Sequence, residues 1–122
     1  MTVRVVYDNE TDCILSSVIG PLDKEVALAL FSEVGRIAVE NQCTRVISDL
    51  RDAKVVASTA DIYLLAKSLG STQITNVFKR AVVVSQDEED YAFWETVCFN
   101  QGFQNLKIFR DYDEAKQWIA PA

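Results

Sequence analysis

The chain contains no histidine. That absence removes Ser-His-Asp and Cys-His nucleophilic catalysis, histidine general-base chemistry and histidine metal ligation together. Glycine is scarce, at four residues in 122. Walker A, Gly-x-Gly-x-x-Gly and Gly-x-Ser-x-Gly patterns are all missing, so neither a phosphate-cradling loop nor a nucleophile elbow is encoded. Cysteine is scarce too. Cys13, Cys43 and Cys98 are odd in number, far apart and without a Cys-x-x-Cys pair. That pattern fits neither a disulfide framework nor a zinc site; it fits small apolar filler in a reducing cytosol. Basic residues number 12 against 18 acidic ones, for a net charge of −6. They are scattered, with Lys79–Arg80 the one adjacent pair, which argues against a nucleic-acid footprint and against an anionic membrane surface. No apolar run approaches bilayer length. The start, MTVRVVYDNETD, does not read as a signal peptide, because its apolar run is short and an acidic stretch follows. The expectation is a soluble, cytoplasmic chain without cofactor, metal or enzymatic activity.

What is present is ordinary for a globular protein: 49% hydrophobic and 25% charged residues. That composition and length predict a single domain over 1–122 with a core that needs no staples. Thr2–Tyr7 and Cys13–Ile19 are β-branched runs joined by Asp8-Asn9-Glu10-Thr11-Asp12, a predicted hairpin. Gly20-Pro21 is expected to break the second strand. Asp23 caps a predicted helix whose apolar stripe is Val26, Leu30, Val34, Ile37 and Ala38, ending near Asn41. Arg45–Leu50 is the third strand. Ile62, Leu65, Ala66 and Leu69 mark a second helix stopping at Gly70, and Ser71–Asn76 a polar loop. Arg80–Val84 is a continuous apolar run, the pattern of a strand covered on both faces, so Val82, Val83 and Val84 should all be inaccessible. Ser85-Gln86-Asp87-Glu88 reads as a capping box opening a third helix with Tyr91, Trp94, Val97 and Cys98 inward. Leu106–Phe109 is the fifth strand, and Asp111–Glu114 starts a short last helix carrying Ala115, Trp118 and Ile119. The order ββαβαβαβα predicts an α/β fold: a mixed five-stranded sheet opening with a β-hairpin, with four helices and right-handed crossovers.

Three segments carry a resemblance. Val46-Ile47-Ser48-Asp49-Leu50 matches a strand leading into a signature loop. Ala57-Ser58-Thr59-Ala60 matches an Asp-Ser-Ser-Gly or Asp-Thr-Ser-Gly turn. Phe109–Ile119 matches a strand closing on Phe before a short Glu-Ala-x-x-Trp helix. Together, over nearly the whole chain, they resemble the STAS family of sulfate transporter and anti-sigma factor antagonist domains, and more closely its STAS-like branch of small bacterial proteins. The resemblance implies a non-enzymatic protein-interaction or regulatory domain. In anti-sigma factor antagonists the turn holds a Ser or Thr phosphorylated by a partner kinase, which by matching position implies Ser58 or Thr59 as phosphoacceptor. Ala57 stands here for the acidic residue and Ala60 for the glycine, and a kinase reads the loop around the hydroxyl; these departures weigh against the switch. The branch also resembles CRAL-TRIO lipid carriers in fold, which makes a small apolar ligand or lipid the alternative to a protein partner.

Each candidate also has a structural role to weigh. Ser58-Thr59-Ala60-Asp61 is itself a helix start, in which the Ser58 hydroxyl is an N-cap worth about 1 kcal/mol. The two roles are compatible, since a phosphate at a helix N-terminus meets free N–H groups and the positive end of the dipole. Asp49 and Asp52 at a strand exit, with Ser85 after the next strand, invite comparison with a receiver domain. The acidic pair after strand one and the lysine after strand five that receivers need are both missing, so loop carboxylates paired with Arg51 or Lys54 are expected. Asp87-Glu88-Glu89-Asp90 is the densest acidic cluster, but successive helix positions fan around the axis and acidic first turns simply suit the dipole. Among the aromatics, Phe93 and Trp94 are neighbours and cannot both face the sheet. Tyr63 and Leu64 lie beside the second helix's buried stripe. Tyr63, Leu64, Phe93 and Trp94 are therefore the candidate patch for a protein partner, a second copy of the chain or an apolar ligand. A closed core with an exposed helix face favours the interaction. An apolar cavity of roughly 300 Å³ or more beside the second or third helix favours the ligand.

Overall fold

The computed structural model describes residues 2–121. The elements run β1 (Thr2–Asp8), β2 (Cys13–Leu22), α1 (Lys24–Asn41), β3 (Arg45–Asp49), β4 (Ala53–Val55), α2 (Thr59–Ser68), a 3₁₀ turn (Leu69–Thr72), β5 (Lys79–Val83), α3 (Glu88–Asn100), β6 (Leu106–Phe109) and α4 (Tyr112–Ile119). The main sheet has the order β1-β2-β3-β5-β6. β1 and β2 pair antiparallel as the predicted hairpin, with Thr2 opposite Ile19 and Asp8 opposite Cys13. Every other neighbour is parallel. This is the expected mixed α/β architecture.

A sixth, three-residue strand was not expected. β2 does not end at Gly20-Pro21; it runs on, and Gly20, Pro21 and Leu22 pair with Ala53, Lys54 and Val55 of β4. Gly20 takes a φ of 104°, open to it because it lacks a Cβ, so the strand turns there instead of stopping. The Gly20 N–H donates to the Asp52 carbonyl at 3.0 Å and the Leu22 carbonyl accepts from Val56 N–H at 3.0 Å. Both groups face β4, so Pro21 presents its missing N–H to the opposite edge, where β1 has ended, and costs the ladder nothing.

Helices cover the two faces unequally. α1, α2 and α3 share one face, with α1 across β1 and β2, α3 against β6 and α2 packed on both helices. α4 alone lies on the other face, against β3, β5 and β6. β5 is an interior strand, flanked by β3 and β6, and its residues alternate between the two cores. Val82 and Val84 join the larger core with Ile14, Leu30 and Leu65. Ala81 and Val83 join the smaller one with Phe109, Ala115 and Ile119. Val82, Val83 and Val84 are all buried, as a strand covered on both faces requires.

The expected caps of α1 and α4 form. The Asp23 carboxylate accepts from Val26 N–H at 2.8 Å, and Asp111 accepts from Asp113 and Glu114 N–H at 2.8 and 3.2 Å. α2 does not halt at Gly70 but tightens into the 3₁₀ turn, whose Leu69 and Thr72 are buried. The polar stretch after it is therefore partly core, with Ile74 1% exposed. This turn rests on α1 at Gly35, where a Cβ would stand 1.9 Å from the Thr72 carbonyl oxygen; only glycine permits that approach.

Candidate functional site

The carboxyl ends of β2, β3 and β5 and the starts of α1, α2 and α3 meet at one end of the sheet. Sites in open α/β folds form at such ends. From β3 the chain passes Leu50, turns at Arg51-Asp52, runs through β4 and reaches α2 by way of Val56-Ala57. Ser58 is the N-cap. Its Oγ accepts from Asp61 N–H at 3.1 Å while the Asp61 carboxylate accepts from Ser58 N–H at 3.4 Å, a complete capping box. Ser58, Thr59 and Ala60 are all exposed. The predicted cap and an accessible hydroxyl coexist.

The second Ser-x-x-acid segment behaves differently, and corrects the sequence reading. Ser85 caps nothing. The N-cap of α3 is Asp87, in the left-handed region at φ 58°, with no side-chain cap bond. Three consecutive side chains instead reach across to the loop before α2. Ser85 Oγ donates to the Arg51 carbonyl at 2.6 Å, Gln86 Nε2 donates to the Ala53 carbonyl at 2.9 Å, and the Asp87 carboxylate accepts from Val55 N–H at 3.0 Å. β4 is an edge strand with backbone groups to satisfy, and these partners outcompete the local box.

The loop carboxylates are paired as expected for Asp49. Arg51 donates to it from Nε at 2.9 Å and Nη2 at 2.8 Å. These bonds hold the Asp49 carboxyl below its ordinary pKa, with burial opposing. Arg51 also stacks over Tyr112, 5.3 Å from the ring centre. The acidic run at α3 disperses: Asp87 serves β4, Glu88 pairs with Arg110 and Asp90 is half-buried along the cavity lining. Among the described residues no three carboxylates or thiols gather as a metal site. Cys13, Cys43 and Cys98 are free and buried. Burial is the main cause that pushes the Cys13 thiol up, to about 11.

The candidate apolar patch divides. Tyr63 and Leu64 are 43% and 49% exposed. With Ala60 and Lys67 they form an exposed face at helical spacing, opposite buried Ile62, Leu65 and Ala66. Phe93 is half-buried against the larger core. Trp94 leaves the patch altogether: it is buried and stacks on Phe31 of α1 with ring centres 5.4 Å apart and planes 15° apart. Six further exposed apolar residues lie outside the candidate patch: Val6, Ile19, Val39, Val56, Val77 and Phe99. Val56 is 55% exposed just before the Ser58 cap, and Phe99 is 54% exposed near the far end of α3. The helical repeat alone flags Phe99, which lies about 100° round from buried Cys98. Nothing local flags Val56.

Beneath these helices lies an apolar cavity of about 90 Å³. Leu30, Phe31, Val34, Leu65 and Trp94 line it, together with half-buried Asp23, Val55, Ala57 and Asp90. It is under a third of the roughly 300 Å³ expected of a drug-sized or lipid site. Two buried polar groups also line it, Arg80 and the Tyr91 hydroxyl. The sequence reading placed both in core elements without asking what their polar ends would meet.

No family model and no curated protein matches the sequence. Solved structures match the fold. The unphosphorylated anti-sigma factor antagonist SpoIIAA superposes with a TM-score of 0.58 at 9% identity, over 95% of this chain and 96% of that one. The Bacillus cell fate determinant SpoIIAA in its phosphorylated form gives 0.57 at 8% identity, over 95% and 98%. An uncharacterised DUF3478 protein with a SpoIIAA-like fold, from Shewanella loihica, gives 0.60 at 15% identity, over 98% and 93%. This chain has the SpoIIAA-like fold that the STAS-like resemblance implied. No helix among the described residues is long and apolar enough to cross a membrane.

Proposed function

We propose that this protein is a non-enzymatic, partner-binding regulatory domain that docks through the start and outer face of α2. The observation that carries the reading is the exposed apolar set Val56, Tyr63 and Leu64 around the capped, exposed Ser58–Ala60 turn. Burying aromatic and aliphatic side chains of this kind is what anchors an interface core. The capping box fixes the start of α2, so a partner meets a preformed surface. The similarity in fold to the antagonist SpoIIAA supports a regulatory role of this kind.

Phosphate is not required by this reading. Ser58 and Thr59 stand in the docking face, and a phosphate there would add about −2 of charge beside free helix N–H groups. Ala57 and Ala60, where the antagonists' turn carries an acid and a glycine, favour a constitutive surface over a switched one.

Affinity capture from the native host tests the reading, with wild type compared against Tyr63→Ser/Leu64→Ser and against Phe99→Ser. The expected result is a stoichiometric partner, or a second copy of the chain, lost from the double variant and kept by Phe99→Ser. Equal capture by all three proteins would overturn the α2 face as the docking surface.

A further inference from the structure

We infer that the edge strand β1 pairs antiparallel with β1 of a second copy of the chain, around a two-fold axis at Val6, so that one sheet runs through both protomers. The pairing uses none of the α2 docking face proposed above, so either can fail alone.

β1 ends the sheet. It pairs only with β2, in an unbroken register from Thr2 to Asp8, and among the described residues none of its backbone groups bonds to a loop. Alternate N–H and C=O groups along its outer side are therefore left to solvent. Edges of this kind are usually kept short, bulged, or broken by proline or lysine. The other end of the sheet follows that rule, since β6 has four residues and carries an exposed lysine, Lys107. β1 has seven residues, TVRVVYD, rich in strand formers and without proline, glycine, lysine or bulge. Its burial points the same way. Val3, Val5 and Tyr7 pack toward the larger core yet stay half-buried, whereas Val18 and Ile14, across from Val3 and Tyr7 on β2, are 1% and 0% exposed. α1 packs on β1 as it does on β2. What β1 lacks is a neighbour on its outer side, and a further strand supplies one.

The charges on β1 select the partner. A two-fold axis perpendicular to the sheet sets each residue opposite one from the same face, so every allowed register centres on a single residue. Centred on Val6, Arg4 meets the partner's Asp8, Val5 meets the partner's Tyr7, and Val6 meets its own copy. The same axis forms the Arg4–Asp8 pair a second time. Opposite charges across strands attract, and like charges directly opposite repel. Centred on Arg4, the strand sets arginine against arginine. Centred on Val5, it sets Arg4 against Val6 and Asp8 against Thr2, and leaves both charges without a mate. Arg4 is exposed and makes no ion pair among the described residues. Asp8 accepts from Glu10 N–H at 3.2 Å and Thr11 Oγ1 at 2.8 Å; these bonds hold its carboxylate at the strand end and leave acceptor capacity for a guanidinium. A strand of one charge sign would satisfy Arg4 or Asp8 and repel the other. A second copy satisfies both.

Sedimentation equilibrium tests this, run from about 10 μM to about 1 mM protein because residues 4–8 of each strand make a small interface. Wild type is expected to show a monomer–dimer equilibrium. Arg4→Glu and Asp8→Lys each set like charges together at both pairs, and each should weaken dimerisation by at least about 10-fold. An equimolar mixture of the two variants should restore it, because the heterodimer sets opposite charges together again. If either charge variant does not fold, Val6→Cys decides. The native cysteines are buried, so mild oxidation should link two Val6→Cys chains far faster than two Thr2→Cys chains. A wild type that stays monomeric throughout, a dimer indifferent to both charge changes, a mixture that stays monomeric, or equal crosslinking of Val6→Cys and Thr2→Cys would each overturn the inference.

Discussion

Two short segments of this chain look alike in sequence and fold differently. Ser58-Thr59-Ala60-Asp61 and Ser85-Gln86-Asp87-Glu88 both follow a strand at the same end of the sheet, and both read as a serine three residues before an acid. The first closes on itself, with Ser58 and Asp61 satisfying each other's backbone N–H groups. The second opens outward, and its three polar side chains hold Arg51, Ala53 and Val55 in place. The difference lies in what is within reach. Around Ser58 there is solvent, so the local box is the best bargain for the backbone. Beside Ser85 runs β4, whose backbone groups on one side have no strand to pair with. The α2 start is therefore a self-contained exposed surface, and the α3 start is a tether. A surface that must meet a partner benefits from the first arrangement, and a loop that must stay put benefits from the second.

The comparison breaks most visibly at Asp87. Asp87→Ala removes a charge-assisted bond to a backbone N–H and places alanine in the left-handed region. The expected cost is about 2–3 kcal/mol in denaturant melts. Asp87→Asn, which tolerates that backbone and keeps an acceptor, should recover about half of it. A loss under about 0.5 kcal/mol for Asp87→Ala would mean the tether to Val55 carries no weight.

Double-mutant cycles sharpen the contrast at smaller scale. Ser58→Ala should cost about 1 kcal/mol, and its effect should couple to that of Asp61→Ala, because each side chain caps the other's backbone. Ser85→Ala should cost about 0.5–1 kcal/mol through the Arg51 carbonyl, with no coupling to Glu88→Ala. Coupling between Ser85 and Glu88 would restore the capping box that the structure lacks.

The smallest effect is expected from acid. Asp49 is held below its ordinary pKa mainly by hydrogen bonds from Arg51, so its contribution is present above about pH 4 and fades as pH falls through the lower native value. Arg51 is largely exposed, which keeps the contribution small. Arg51→Gln should lower the melting temperature slightly at pH 7, and the gap to wild type should close as pH falls through the lowered native Asp49 value. A gap that persists unchanged in acid would assign the effect to the stacking of Arg51 on Tyr112 instead.

Where local and tertiary preferences agree, the sequence was legible. Asp23 caps α1, the stripe Val26, Leu30, Val34, Ile37 and Ala38 packs inward, Val82–Val84 vanish between two layers, and Ser58 caps α2; each signal lies within a few residues of its effect. What escaped depends on distant partners. β4 is three residues long, too short for periodicity, and exists because β2 carries on past Pro21 to meet it. Ser85 obeys β4 and not its own helix. Trp94 is placed by Phe31, 63 positions away on another helix. The cavity escaped for the same reason: Arg80 and Tyr91 each sit on an ordinary apolar stripe, and only packing sets both in the lining of one cavity.

Matched charges at the two helix starts give the most direct test. Ser58→Asp keeps a good N-cap at α2 but adds a carboxylate to the docking face, while Ser85→Asp replaces a donor to the Arg51 carbonyl with a group that repels it. Melting temperature and capture of the wild-type partner from native lysate, measured side by side, read both effects. The expected result is that Ser58→Asp melts with wild type and loses the partner, whereas Ser85→Asp melts earlier and, below its transition, keeps it. If Ser58→Asp retains the partner, or unfolds as readily as Ser85→Asp, the start of α2 is not the self-contained docking surface described above.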